Sequence, residues 1–501
     1  MTQEDAPPQT NWQRARAWSL GAAAFAALTA ALVFVRRGEV GLWDWDTYGR
    51  LKFIHHYQPE RFLDGHVLYH YLMRALMVLG LRDATSVVVM TALGAAAFLW
   101  LLAWICRREG LSLPATALVL TAATLGSPGL VSLFLLAEDN VLYLPVVLGI
   151  FYVASQSGGE RRAVLRRGVV LGALFAVGML INVSLLVLLF ALAVTPLLVK
   201  REPLRASGLA VAAGTALVVY YVAHVVPFTG AMPAVNEFLP QALRLTDFQQ
   251  SSTPLFSLAR LDQYLGGLRA TALTPSVHLM RLTPGLYAVL TGSLPHLLAA
   301  LAACLVGWVL LFRGGALRAA LSTRLDLFAL FGVALVFPYL YEPALIERWD
   351  IFWVGALFAL VLLLRSKPSA FVVGLIATLV ALQGVGTVVT VVHHYGGAWA
   401  DPAFVQLRAV AAEVREQHSE PIVLPFWIDR LLLADLTKQV PGRTIYLVRD
   451  DGAEVACFRL FDLMERPVPP GELRRALRAG AHVYVDPSLS PHSLRLLGRD
   501  P

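Results

Sequence analysis

The sequence predicts an all-α polytopic membrane protein of about eleven transmembrane helices, followed by a small C-terminal α/β domain. Three observations point there: an apolar composition, apolar runs of membrane-crossing length, and a change of pattern near residue 395. Of 501 residues, 57% are hydrophobic and only 15% are charged, whereas about a quarter of a soluble domain is charged. Mean hydropathy is +0.63. Runs such as Ala84 to Ile105, Leu290 to Phe312 and Phe371 to Val392 match the roughly 20 residues that cross a hydrocarbon core of about 30 Å. They lack the short alternating segments of a barrel, so helices are the spans that satisfy the backbone in lipid.

The pattern places spans near 18–35, 84–105, 112–127, 140–155, 168–182, 184–199, 207–227, 290–312, 325–341, 350–364 and 370–393. Residues 1–17 are polar and precede a run too long for a signal-peptide core, so the first helix is expected to be a retained anchor. With the N-terminus cytoplasmic, the inner segments hold Arg14 and Arg16, Arg107 and Arg108, Arg161, Arg162, Arg166 and Arg167. Later ones hold Lys200, Arg201 and Arg205, then Arg313, Arg318 and Arg324, then Arg365 and Lys367. The short outer loops carry a single base, Arg348. That asymmetry is the positive-inside rule, and it outvotes Arg36 and Arg37 on the outer side of the first span. The formal charge of +7 is therefore a topology signal. It makes no soluble basic face for nucleic acid.

The expected organisation is a cytoplasmic N-terminal tail (1–17), a transmembrane domain (18–394) with long outer loops at 36–83 and 228–289, and an extracytoplasmic domain (395–501). Within the first loop, His66 to Leu81 is apolar but short, and reads as a helix at the outer interface. In the tail, 403–417 has helical spacing, while Pro421 to Phe426, Thr444 to Val448 and His482 to Asp486 read as strands. Strands alternating with helices predict a partly parallel sheet. Cys106, Cys304 and Cys457 lie too far apart in this plan for a disulfide framework or a zinc site.

The polar residues that bear on chemistry fall on the outer face. Trp43-Asp44-Trp45-Asp46-Thr47-Tyr48-Gly49-Arg50 offers two carboxylates near the headgroups, which suit a general base or a divalent-cation ligand. The same residues also fit a solvated loop held by an aromatic belt. Glu138 and Asp139 stand before the fourth span with Asn140 beside them; one acid would cap the helix, and two exceed what capping needs. Asn182 opens a formal sequon, Asn182-Val183-Ser184, at a turn pressed against the membrane, and reads as a hairpin or site-lining residue. Arg348 stands where a guanidinium fork would clamp a phosphate, or pair locally with Glu342, Glu347 or Asp350. His66 and His70 share one helical face, without the glutamate of a zincin. Arg260, Tyr264, Arg269, His278 and Arg281 dot the second long loop, as a lid over a lipid-linked substrate or as a headgroup-contacting segment.

This arrangement resembles the GT-C glycosyltransferases, which include protein O-mannosyltransferases, the aminoarabinose transferase of lipid A and the oligosaccharyltransferase catalytic subunit. Asp46-Thr47-Tyr48-Gly49-Arg50-Leu51 looks like the family's acidic element in the first outer loop. Gly65 to Leu72 looks like its His-Pro element without the proline, Glu138-Asp139 like its second acidic site, and Arg348-Trp349 like its late arginine. The resemblance implies that Asp46 deprotonates an acceptor or binds a metal, with Asp44 as understudy. It implies further that Glu138 or Asp139 positions the acceptor or binds a divalent cation (Mg or Mn), and that Arg348 holds the phosphate of a polyprenyl-phosphate-sugar donor. Tyr48, Arg50, His66, His70 and Asn182 would line the site. The acceptor would be a glycan, lipid or protein. A missing His-Pro-Pro run and the α/β tail depart from the family pattern. Rival readings are a transporter or flippase, which the scarcity of midspan charges and the lack of a duplicated half disfavour, and a polysaccharide polymerase or ligase sharing the same face.

Overall fold

The computed structural model describes residues 67–81, 83–126, 134, 140–156, 160–182, 185, 188, 192, 209–210, 214, 257–273, 327, 329–339, 349–395, 422–425, 444–450, 455–461 and 464–483. The expected spans at 18–35 and 290–312, the tail helix at 403–417, and most of the spans at 184–199 and 207–227 lie outside these residues.

The described chain is mostly helical. Helix α1 (Val67–Val78) leads into α2 (Asp83–Arg108), then α3 (Leu113–Thr124), α4 (Asn140–Ser155) and α5 (Arg161–Ile181). Next come α6 (Leu258–Leu273), α7 (Ala329–Tyr339), α8 (Asp350–Arg365) and α9 (Ala370–Tyr395). Among the described residues α2 and α5 are long and apolar enough to cross a membrane. Helix α1 has 12 residues, about 18 Å at 1.5 Å per residue, too short to span. It lies against α2, with Tyr69 and Met73 packed on Val87 and Met90 while Tyr71 and Leu72 stay exposed.

Helix ends follow from local chemistry. Helix α2 closes on Arg107 and Arg108, whose charge suits the negative pole of the helix. Gly110 follows with φ +74°, and the Leu111 N–H donates to the Cys106 carbonyl at 3.0 Å. That left-handed cap favours glycine, because a Cβ there meets the following carbonyl. Helix α3 starts after Ser112 with a proline in its first turn, where the missing N–H costs nothing.

Helix α4 is the hub. Val141, Leu144, Val147, Leu148, Ile150 and Phe151 are all buried, as expected of a helix that is apolar all round. Its neighbours in the core are Phe98 and Leu102 of α2, Val119 of α3, Leu171 of α5, Leu330 of α7 and Phe358 of α8. Small residues set the approach. A Cβ on Gly94 of α2 would stand 2.9 Å from the Val141 carbonyl oxygen, and one on Gly355 of α8 would stand 2.8 Å from the Phe331 ring. Pro145 interrupts α4 and, having no N–H, leaves the carbonyl four residues back, Val141, without its helical donor.

The two ends of the bundle differ in chemistry. Where α2 and α8 finish, Arg365 pairs with Glu109, and Arg108 lies over the Trp104 ring at 5.5 Å. Helix α5 begins at this same end and carries Arg161, Arg162, Arg166 and Arg167 in its first two turns. It starts seven residues before the predicted 168, because arginine is a good helix former and its long stem lets the charge leave the apolar layer.

In the tail, β1 (Ile422–Pro425), β2 (Ile445–Asp450), β3 (Val455–Phe461), β4 (Met464–Val468) and β5 (His482–Val483) form one sheet, with α10 (Pro470–Arg478) packed on it. The order is β4-β3-β2-β1-β5. β1 is parallel to β2 and to β5, whereas β3 and β4 add antiparallel. The three sequence-predicted strands are the parallel set. β3 and β4 were not expected, since Arg459, Glu465, Arg466 and Pro467 break their apolar pattern; the terminal position of β4 is where a sheet tolerates proline. Leu473 and Ala476 of α10 cover Val423, Tyr446, Val448 and Cys457.

Candidate functional site

At the end opposite the arginines, α4 and α8 begin while α5 and α7 finish, and buried polar side chains tie them together. The Tyr143 hydroxyl donates to Asp350 Oδ2 at 2.9 Å, and Asn182 Nδ2 donates to Asn140 Oδ1 at 2.9 Å. All four residues are buried. Asn140 and Tyr143 are i, i+3 on α4, so both bonds spring from one helical face. In a low-dielectric layer a polar group without a partner is costly, which is why these residues occur in bonded pairs. The backbone N–H of Asn182 also closes α5 on the Gly178 carbonyl.

A second layer is aromatic and cationic. Arg260 of α6 is buried, its Nε donates to the Tyr339 carbonyl at 2.8 Å, and its guanidinium lies 5.9 Å from the centre of the Tyr339 ring. Tyr264, one turn on, donates its hydroxyl to the Leu335 carbonyl at 3.0 Å. Its ring lies 4.8 Å from that of Trp349 and 5.5 Å from that of Tyr339. Trp349 is fully buried and abuts Phe352.

Of the sequence-predicted site residues, Asp44, Asp46, Tyr48, Arg50, His66, Glu138, Asp139 and Arg348 lie outside the described residues. Asn182 is described, and its side chain is bonded across to α4. Burial and that bond leave it unsuited to glycan attachment. His70 stands half-buried on α1, edge-on to Tyr69 with ring centres 6.3 Å apart. The sequence reading passed over Tyr143; its signal was a hydroxyl in an otherwise apolar helix. Among the described residues no three His, Cys, Asp or Glu side chains gather as a metal site, and the cluster at this end offers one carboxylate, Asp350.

No protein-family model matches the chain, and no curated protein does. Among solved structures, ArnT from Cupriavidus metallidurans bound to undecaprenyl phosphate superposes with a TM-score of 0.52 at 12% identity, covering 92% of this chain and 95% of that one. The chain has an ArnT-like fold. The apo form of the same ArnT matches at a TM-score of 0.35 and 14% identity, over 88% and 94% of the two chains. The fold likeness to ArnT agrees with the resemblance to the aminoarabinose-transferase branch drawn from the outer-loop motifs.

Proposed function

We propose that this protein is an integral membrane glycosyltransferase that moves a sugar from a polyprenyl-phosphate-linked donor to an acceptor at the outer face of the cell membrane. The observation that carries the proposal is the fold likeness, end to end, to an ArnT that binds undecaprenyl phosphate. The buried polar cluster supports it. Glu138 and Asp139 immediately precede Asn140 in the chain, and Arg348 immediately precedes Trp349 and Asp350, so these three of the residues with proposed roles adjoin the cluster in sequence.

In this reading Asp46 accepts the proton of the acceptor hydroxyl as its oxygen attacks the anomeric carbon. The new carbon–oxygen bond forms while the bond to the donor phosphate breaks on the opposite side, inverting the centre. The electron pair leaves on the polyprenyl phosphate, and Arg348 neutralises the charge that develops there. Glu138 and Asp139 orient the acceptor, with Asp44 beside the base. Asp46, Glu138 and Asp139 are hard oxygen donors of the kind Mg and Mn prefer and would hold such a cation, whose contribution would be Lewis-acid charge. The orientation that fits has the N-terminus cytoplasmic and the 395–501 domain outside, where it contacts acceptor or partner.

The test is Asp46→Asn, assayed with a polyprenyl-phosphate sugar as donor. Loss of transfer with donor binding retained is expected; unchanged turnover overturns the role of Asp46. A product that grows while keeping a lipid pyrophosphate would instead indicate a polymerase or ligase.

A further inference from the structure

Helix α6 is inverted relative to a helix that lies on a protein surface in water. Of its two arginines, Arg260 is 1% exposed, whereas Leu258, Leu261 and Leu265 are 86%, 43% and 53% exposed, with Asp262 exposed on the flank of the leucines one turn from the helix start, where its carboxylate reaches the headgroups. Those leucines fall at i, i+3 and i+7, a single stripe. Exposing three leucines while burying an arginine runs against the hydrophobic effect in water; against hydrocarbon the leucines cost nothing. The arginine is accommodated by the Tyr339 carbonyl and ring, the kind of partner a cation needs at membrane depth.

The contacts of α6 also give it a direction. Arg260 meets Tyr339, and Tyr264 meets Leu335. One turn forward on α6 is one turn back on α7, so the two helices run antiparallel, and α6 passes from the Trp349 end of the bundle alongside α7. The apolar surface continues there, because Leu335 and Val336 of α7 are themselves 38% and 51% exposed.

We propose that α6 enters the lipid leaflet at the Trp349 end of the bundle, with Leu258, Leu261 and Leu265 seated in the acyl chains and Arg260 and Tyr264 fastening it to α7. This rests on the membrane reading of the bundle. It makes part of the 228–289 segment a re-entrant helix where the sequence suggests a lid or a headgroup-contacting segment. From Leu258 to Leu265 the axis advances about 10 Å, so the stripe samples increasing depth.

The test places single cysteines at Leu258, Leu261 and Leu265, and at Val177 on the exposed side of α5, in a Cys304→Ala background where Cys106 and Cys457 are buried. Each is labelled with an environment-sensitive fluorophore in phosphatidylcholine vesicles whose acyl chains carry a nitroxide either near the headgroup or near the chain end. The expected result is loss of fluorescence to lipid nitroxide at all three leucine sites, protection from aqueous iodide, and strongest quenching that moves from the shallow to the deep nitroxide between 258 and 265. Quenching of the leucine sites by iodide, with Val177 still quenched by lipid, overturns the proposal while leaving the membrane reading intact. Equal depth at 258 and 265 means that α6 lies flat, and protection from both quenchers means that protein covers the stripe; either also overturns it. Iodide quenching at Val177 as well brings down the membrane reading itself.

Discussion

The two ends of the helical bundle solve the same problem, holding helix termini together, by opposite means. At the Asn140 end the ties are short hydrogen bonds between buried side chains, with Asp350 the carboxyl group among them. At the Arg365 end they are arginines, a half-exposed Arg365 paired with a Glu109 side chain that is 6% exposed, and a cation over Trp104. The difference in burial decides what each tie is worth. A buried bond, once broken, strands a polar group away from water, whereas the half-exposed Arg365 that loses its partner is taken up by solvent. The Asn140 end therefore reads as architecture, and the arginine end as a looser tie open to solvent.

That contrast can be broken in graded steps. The largest effect is expected where α2 and α4 tie the ends together: Gly94→Leu forces a side chain against the Val141 backbone and should cost about 3 kcal/mol, seen as a lower apparent Tm in detergent. At the Asn140 end, Tyr143→Phe removes the donor to Asp350 and should cost about 2 kcal/mol. In a double-mutant cycle with Asp350→Asn, the two losses should be strongly non-additive, and simple additivity would mean that the bond carries little. At the arginine end, Glu109→Gln should cost under about 1 kcal/mol and fade further with added salt. A fall as large as that of Tyr143→Phe would erase the distinction.

The tail sheet gives the smallest and most local response. Burial raises the Cys457 thiol above its usual range. Burial, then the Glu472 carboxylate that accepts the Tyr446 hydroxyl proton at 3.3 Å, raises the Tyr446 phenol likewise. Both groups hold their protons longer folded than unfolded, so the stability they support is complete below their unfolded values, about 8.5 for cysteine and 10 for tyrosine, and is lost as pH rises through the folded ones. Strand signals from the tail should weaken in alkali before the helical signal does, and Tyr446→Phe should blunt the upper part of that loss.

Much of this fold was legible because lipid imposes a simple rule on sequence: the helices at 140–155, 350–365 and 370–395 begin and end where the apolar runs do. The parallel strands were legible for the same reason, being apolar on both faces. β3 and β4 were not, because Arg459, Glu465 and Arg466 hide the pattern of strands that lie toward one edge. At the candidate site Asn182 stood out as a polar residue at a membrane turn. The bond between Tyr143 and Asp350 joins residues 207 apart, and no local pattern encodes a contact of that range. Arg260 could be seen in the sequence as one base among several, but its burial depends on a ring and a carbonyl contributed by another helix.

Pro145 and Gly94 are separate helices' halves of one arrangement. The proline withholds the N–H that Val141 would otherwise receive, and the glycine is what lets another backbone come up to that carbonyl. Seen as inheritance, the glycine is not free to drift. A side chain at 94 is excluded by the Val141 carbonyl and Cγ1, which stand 2.9 and 3.0 Å from a Cβ there, and an ordinary residue at 145 would give that carbonyl a helical donor without making room for one. In distant relatives of this chain position 94 should therefore stay small wherever the two helices keep this approach.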